Sequence, residues 1–478
     1  MASDNSFKSW QPFFSTQLHL SEAMGSTYNE LQVDGLKLTD KDTKRELQAL
    51  DLLATALNFH AEDSTAVTLD KRSAVTVVIA KNRSVTQDDT NAVQAFLDLI
   101  VKPEVANEKT PGPVVFPYYL RYCSGYMARC IEDFRSSLSD MYSLLEKPIP
   151  HSNVTPLQAY KPKSIKEEFP NTEKYIAARF TGKSPTFQQV IQDIIRSGIG
   201  YCQNVTLNPQ NVKASIDSYS VVCLPAKQLT DCLFLTTVCD EGKAGSLSYL
   251  KDSAMLLKQR IDKVRRFRDG ISTLLKAVKR TFPNGAIKWR WAQELDWGQT
   301  GQGEHAFGAD YKTTLSQTLQ HATSAQKNHA LGGADHRFPT LAADWKRKTG
   351  VYSVVHPEIR VIFDQDGTAG KFPGGRAIGC SEFSCACCYL FIDAYNTRQG
   401  TSWITTGATG RVESDWAFPG PGLNKQSAIS HIDSIQREVY DGVTLRIERL
   451  VLYTDQDDTQ DDIFDDSAYM AVANMKIE

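Results

Sequence analysis

Apolar residues recur at helical spacing through most of the first 280 positions of the chain and give way to shorter alternating segments toward its end. Residues 44–59 (KRELQALDLLATALNF) have the repeat of an amphipathic helix, 74–80 (AVTVVIA) form a β-branched run that predicts a strand, and 93–101 return to helix. Over 118–145 one long helix is expected, with Tyr119, Tyr122, Met127, Ile131, Phe134, Leu138, Met141 and Leu144 as its buried stripe. Residues 185–199 predict another helix, and 217–225 and 231–238 read as strands. A further helix spans 258–280, with Ile261, Val264, Phe267, Ile271, Leu274 and Val278 along one side. Five prolines between 147 and 170 disfavour regular structure there, and the small, polar stretches 298–308 and 322–333 read as exposed loops.

The last third alternates strand and helix. Residues 351–355 predict a short buried strand and 358–365 a helix with Pro357 in its first turn, where a missing N–H costs nothing. A strand over 376–381 and a helix over 385–396 follow, then strands at 401–406 and 411–418, a helix at 432–443 and a last strand at 445–453. The pattern therefore divides the chain into a mainly helical region (1–150), an α+β region with a basic helix (151–330) and a C-terminal domain (331–478). The fold class is α/β, with a three-layer sandwich at the C-terminal end.

At 478 residues, 41% of them apolar, the chain can bury more than one core. A net charge of −3 gives no global sign of nucleic-acid binding, so any such surface is local. The local candidate is the helix at 258–280, rich in Lys and Arg, together with Lys288-Trp-Arg-Trp291; these could hold phosphates and stack bases of a single strand, or be a solvated face beside buried tryptophans. Residues 455–466 carry seven aspartates and no base, as a solvated acidic tail would. The first residues lack a basic n-region and a long apolar core, and no apolar run approaches 18 residues, so no membrane association and an intracellular setting, cytoplasmic or nuclear, are expected. Six of the ten cysteines are scattered, which fits a reducing compartment better than a disulfide framework. His305, His321, His329 and His336 are irregularly spaced and read as loop or surface residues.

The other four cysteines lie between 380 and 388, downstream of His356-Pro-Glu358. His356 falls at a strand-to-helix junction, and Cys385 and Cys388 share a face of the first turn of the second helix, whose N-terminal dipole favours thiolates. Two thiolates and an imidazole are the protein ligands of a catalytic zinc with one open position, at which the pKa of water falls to about 7. Glu358, two residues past the histidine, is placed to shuttle that water's proton rather than to bind metal. Cys387 points about 200° away from Cys385 on an ideal helix and makes a poor co-ligand; Cys380 is a spare thiol.

His356-x-Glu358 followed by Cys385-x-x-Cys388, each opening a helix after a strand, resembles the zinc-dependent cytidine deaminase-like superfamily. More narrowly, Val354-Val-His-Pro-Glu-Ile, Ile378-Gly-Cys-Ser and Ser384-Cys-Ala-Cys-Cys-Tyr-Leu-Phe are similar to a branch found mainly in large fungal proteins and some bacterial effectors. The likeness covers roughly 335–478 and departs from the superfamily in having Ser384 where proline is common. It implies a Zn2+ held by His356, Cys385 and Cys388, Glu358 as general acid/base, and hydrolytic deamination of a nucleobase-containing substrate by zinc-bound hydroxide attacking an amino-bearing ring carbon. Trp403, Trp416 and Phe383 are candidate walls for the flat base. Three other readings stand beside this one. The cysteines could be core packing; the zinc could be structural in a non-catalytic interaction protein, with a fourth ligand from His329, His336 or His431; or Cys385 and Cys388 could be a redox pair.

Overall fold

A computed structural model of the chain describes residues 7–25, 40–106, 111–150, 152–170, 172–181, 184–240, 245–295, 300–320, 322–367, 376–420 and 432–452. Its longer helices, in chain order, are α1 (Gln11–Ala23), α2 (Lys41–Ala56), α3 (Gln87–Val101), α4 (Gly112–Tyr122), α5 (Ser124–Glu146), α6 (Phe187–Gln203), α7 (Val212–Thr230), α8 (Leu233–Cys239), α9 (Lys251–Thr281), α10 (Tyr311–Thr318), α11 (Ser324–Arg337), α12 (Pro357–Gly367), α13 (Ala386–Gln399) and α14 (Ile432–Leu452). The strands are β1 (Thr65–Asp70), β2 (Thr76–Lys81), β3 (Lys288–Trp291), β4 (Gly303–Ala306), β5 (Gly350–Ser353), β6 (Arg376–Ala377), β7 (Gly379–Cys380) and β8 (Trp403–Ile404). The architecture is mixed α/β with a helical N-terminal region. Among the described residues no single helix is long and apolar enough to cross a membrane.

One four-stranded sheet, ordered β3-β2-β1-β7, divides the interior in two. β1 runs antiparallel to both β2 and β7, and β3 lies parallel to β2. Period-two alternation does the dividing. Val67, Val77 and Ile79 face a core built with α2 and the helices up to α9, whereas Ala66, Val78 and Ala80 face a second core that contains Val355, Ile359, Ile362 and the cysteine helix α13. Helix α2 covers one side of β1 and α12 covers the other. Two smaller pairs are β4–β5 (antiparallel) and β6–β8 (parallel).

Several expectations hold at element level. The helix stripe of 258–280 is buried as read, with Ile261, Val264, Phe267, Ile271, Leu274 and Val278 all in the first core. The expected helix over 118–145 is two helices that meet at Cys123, which belongs to neither span.

Others are corrected. Residues 217–225 and 231–238 are helical, in α7 and α8: Tyr219, Val222, Cys223, Ala226 and Leu229 are buried at helical spacing, which outweighs the β-branched content. Residues 322–333 are mostly α11, started by a capping box between Thr323 and Gln326. Of the last expected strand, 445–453, residues 445–452 instead continue α14, because Ile435, Val439, Val443, Ile447 and Val451 carry one buried stripe straight through them, and residue 453 lies outside the described residues. The stretch 411–418 makes only an isolated bridge, Val354 with Trp416. The three-layer arrangement expected over 331–478 is not formed by that segment's own strands: of the four-stranded sheet it supplies β7 alone, two residues long.

Candidate metal centre

Two helix N-termini converge. The carbonyl of His356 accepts the N–H groups of Ile359 and Arg360 at 3.1 and 3.2 Å, so His356 caps α12. Helix α12 is buried nearly all round, with Ile359, Val361, Ile362 and Phe363 fully enclosed. Its polar side chains are tied to the sheet: Arg360 donates to the carbonyl of Lys81, and Asp364 accepts from Arg290 at 2.7 and 2.6 Å and from the Gln293 N–H at 2.9 Å. Cys385 is the N-cap of α13, and its Sγ accepts the Cys388 N–H at 3.4 Å. At the far end Gly400, with φ of +63°, closes α13 in the left-handed conformation that favours glycine.

The result is a compact donor set. His356 Nδ1 lies 3.3 Å from Cys388 Sγ and 3.6 Å from Cys385 Sγ, and all three residues are buried. A thiolate about 2.3 Å and an imidazole about 2.05 Å from one tetrahedral zinc stand about 3.6 Å apart, so these spacings are those a shared ion requires. Glu358 Oε2 is 3.8 Å from Cys388 Sγ, beside the donors. The residues fit a zinc with three protein ligands.

The electrostatics agree with that chemistry. Burial would push the Cys385 thiol up, but hydrogen bonds from Cys387 and Cys388 and the charge of His356 bring it well below its usual range. Burial would likewise lower His356, but the Cys385 thiolate and Asp415 raise it well above the usual imidazole value. Cys388 is pushed far up, by burial first and by the neighbouring Cys385 thiolate second. Burial raises the Glu358 carboxyl.

Neither Cys380 nor Cys387 joins the three-donor group, and among the described residues no fourth protein ligand completes it. His329 and His336 are exposed on α11, His305 Nε2 lies 3.0 Å from the Gly301 carbonyl, and His321 and His431 lie outside the described residues. The structure places both candidate tryptophans in the packed interior. Trp403 donates to Asp366 near the C-terminal end of α12, the end opposite His356. Trp416 is fully buried, edge-on to Phe14 and Phe418. Phe383 is half-buried in the loop before Cys385, with the Arg266 guanidinium 5.9 Å from its ring centre.

Several cations of α9 are engaged within the fold, while Arg268, Lys276, Lys279 and Arg280 are exposed. Lys263 pairs with Glu382, Arg260 with Asp133 at 2.7 Å, and Arg265 with Asp269 at 2.9 Å. Arg266 donates to the Cys380 carbonyl and to Thr55, each at 3.2 Å, and Arg268 donates to the Ser220 carbonyl at 3.2 Å. Tyr126 donates to the Ser381 carbonyl at 2.8 Å and to Glu382 at 3.0 Å. Three side chains of the helical region thus hold the loop that delivers Cys385. In Lys288-Trp-Arg-Trp291 both indoles are spent on Gln94 and Thr90.

Sequence reasoning missed Glu413 and Asp415, whose carboxylates lie 3.7 and 3.5 Å from His356 Nε2. The signal was available: two carboxylates two residues apart in a stretch read as a strand fall on one face, opposite Trp416.

Residues 355–420 match a family model described as an OTT_1508-like deaminase, which supports a deaminase-like domain in this part of the chain. The matched stretch contains His356, Glu358, Cys385, Cys388, Glu413 and Asp415. No curated protein and no solved structure matches the chain.

Proposed function

We propose that the protein is a zinc-dependent hydrolytic deaminase, a member of the cytidine deaminase-like superfamily acting on a nucleobase-containing substrate. The observation that carries this reading is the convergence of His356 Nδ1, Cys385 Sγ and Cys388 Sγ with the Glu358 carboxylate beside them. A structural site or a redox pair has no use for that carboxylate. In this reading the sandwich of the superfamily is completed by strands β1, β2 and β3 from the earlier part of the chain.

Zinc, when bound at these donors, would supply a water activated at neutral pH. His356, Cys385 and Cys388 hold the metal. Glu358, its acidity weakened by burial, is suited to carry protons: it takes one from the attacking water and passes it to the ring nitrogen, then takes the remaining hydroxyl proton of the adduct and passes it to the departing amine. Water is consumed and ammonia released. Phe383, half-buried next to the cysteine turn, is the one aromatic of the three candidates left to cover the face of a flat base. Because the α9 arginines at 260, 265, 266 and 268 already have internal partners, a small nucleobase compound is favoured over a single-stranded nucleic acid held along that helix.

The test is to incubate zinc-loaded protein with cytosine and adenine bases, nucleosides, nucleotides and single strands, scoring ammonia and product base. Turnover of any member by the native protein, absent in Glu358→Gln, is the expected result. Zinc-loaded protein inert toward the whole panel would favour a structural site.

A further inference from the structure

The two nitrogens of His356 face different chemistry. Nδ1 points at the sulfurs, whereas Nε2 lies 3.5 Å from Asp415 Oδ1 and 3.7 Å from Glu413 Oε2. A histidine that binds metal through Nδ1 must carry its proton on Nε2, and a carboxylate at that position fixes the tautomer and the ring's orientation.

We propose that Asp415 is the positioning residue for His356, accepting its Nε2–H and thereby setting the metal affinity of the site. This rests on the zinc reading above. Asp415 is preferred to Glu413 because its backbone is locked to the strand that delivers the histidine. The Val354 N–H donates to the Asp415 carbonyl at 2.6 Å, the Ala417 N–H donates to the Val354 carbonyl at 2.9 Å, and Val354 and Trp416 form a parallel bridge. Val354 is two residues before His356. Ligand and acceptor are therefore placed by main-chain register, which costs no side-chain freedom.

The lock extends to the start of the chain. Gln11 donates to the Trp416 carbonyl at 2.9 Å and accepts from the Phe418 N–H at 2.8 Å, while Ser15 bonds Ser353 at 2.9 Å. Phe14 stacks on Phe418 at 4.6 Å between ring centres. The Glu413 carbonyl is tied instead within its own turn, to the Trp416 N–H at 3.1 Å, and its side chain is 51% exposed against 39% for Asp415. The 3.5 Å gap is a few tenths of an ångström beyond a formed hydrogen bond, within reach of a small ring rotation.

The experiment measures zinc dissociation constants of the full chain by competition with a chromophoric chelator, for the native protein, Asp415→Ala, Asp415→Asn and Glu413→Gln. It also records 15N spectra of the histidine rings with zinc bound. Asp415→Ala should bind zinc about 10- to 100-fold more weakly. Asp415→Asn, which keeps a neutral acceptor, should lose less, and Glu413→Gln should stay near native. The Nε2–H resonance of His356 should be shifted downfield by its carboxylate in the native protein and lose that shift in both Asp415 variants, which a purely structural role would not produce. Native affinity together with a His356 Nε2–H resonance that stays downfield, as in the native protein, in Asp415→Asn overturns the proposal even if the alanine variant fails to fold. A loss in Glu413→Gln as large as in Asp415→Ala also overturns it. Native protein that takes up no zinc would sink the metal reading itself, and this proposal with it.

Discussion

At the scale of single residues, the division of labour among the site's side chains makes separable predictions. Cys385→Ser and Cys388→Ser should lower bound zinc, measured by metal analysis of purified protein, and Cys387→Ser should not, since only the first two sulfurs face His356 Nδ1. Glu358→Gln should retain zinc yet lose turnover by at least roughly 10²–10⁴-fold, the ordinary worth of one positioned proton transfer. A glutamine variant with near-native ammonia release would remove the carboxylate from its role. Zinc uptake should also displace protons. His356 is raised and so carries its proton at neutral pH, Cys388 is raised and stays a thiol, and Cys385 is lowered and is already a thiolate. Loading at neutral pH should therefore release about two protons per zinc, and affinity should fall as pH drops and protons compete for the ligands. Calorimetry in buffers of different ionisation enthalpy counts them directly.

At the scale of elements, the contact that sets the cysteine turn against the helical region is the crossing of β7 on α2. A Cβ added at Gly379 would stand 2.1 Å from the Leu50 carbonyl carbon and 2.4 Å from the Asp51 N, both backbone atoms that cannot swing aside. Asp51 in turn accepts the Cys380 N–H at 2.8 Å and faces Arg266 at 3.6 Å. Gly379→Ala should therefore force α2 and β7 apart and cost about 1–3 kcal/mol, the usual range for overpacking, read from the denaturant midpoint. Zinc affinity should weaken along with it, because the displaced strand leads directly into the loop before Cys385. A fully stable alanine variant would mean that this crossing has slack.

At the scale of the molecule, the deaminase-like segment leans on the rest of the chain. Its cysteine loop is gripped by Tyr126, Lys263 and Arg266, its β7 pairs with β1, and α1 seals the stretch that holds Asp415. Residues 331–478 expressed alone should accordingly lack a cooperative thermal transition and the zinc affinity of the full chain. A fragment that unfolds cooperatively and binds zinc as the whole protein does would show these contacts to be dispensable. The same leaning engages Arg260, Lys263, Arg265 and Arg266, so part of the basic stripe of α9 is committed to holding the fold.

The three clustered donors and the carboxylate beside them were legible from the sequence because they depend on local spacing: His356 and Glu358 open one helix, Cys385 and Cys388 another, and helix geometry carries each pair to its place. The stripe of α9 was legible for the same reason. Local pattern failed where two periodicities competed, as in α7 and the end of α14, whose β-branched content masked an intact helical stripe. It was silent on contacts made across hundreds of residues. Glu413 and Asp415 beside His356, Trp403 against the C-terminal end of α12, and a sheet assembled from strands near residues 65–81, 288–291 and 379–380 all follow from long-range pairing. Spacing along a chain determines which side chains share a helix face. Which faces then meet is decided by burying both sides of that sheet at once, a condition no single segment contains.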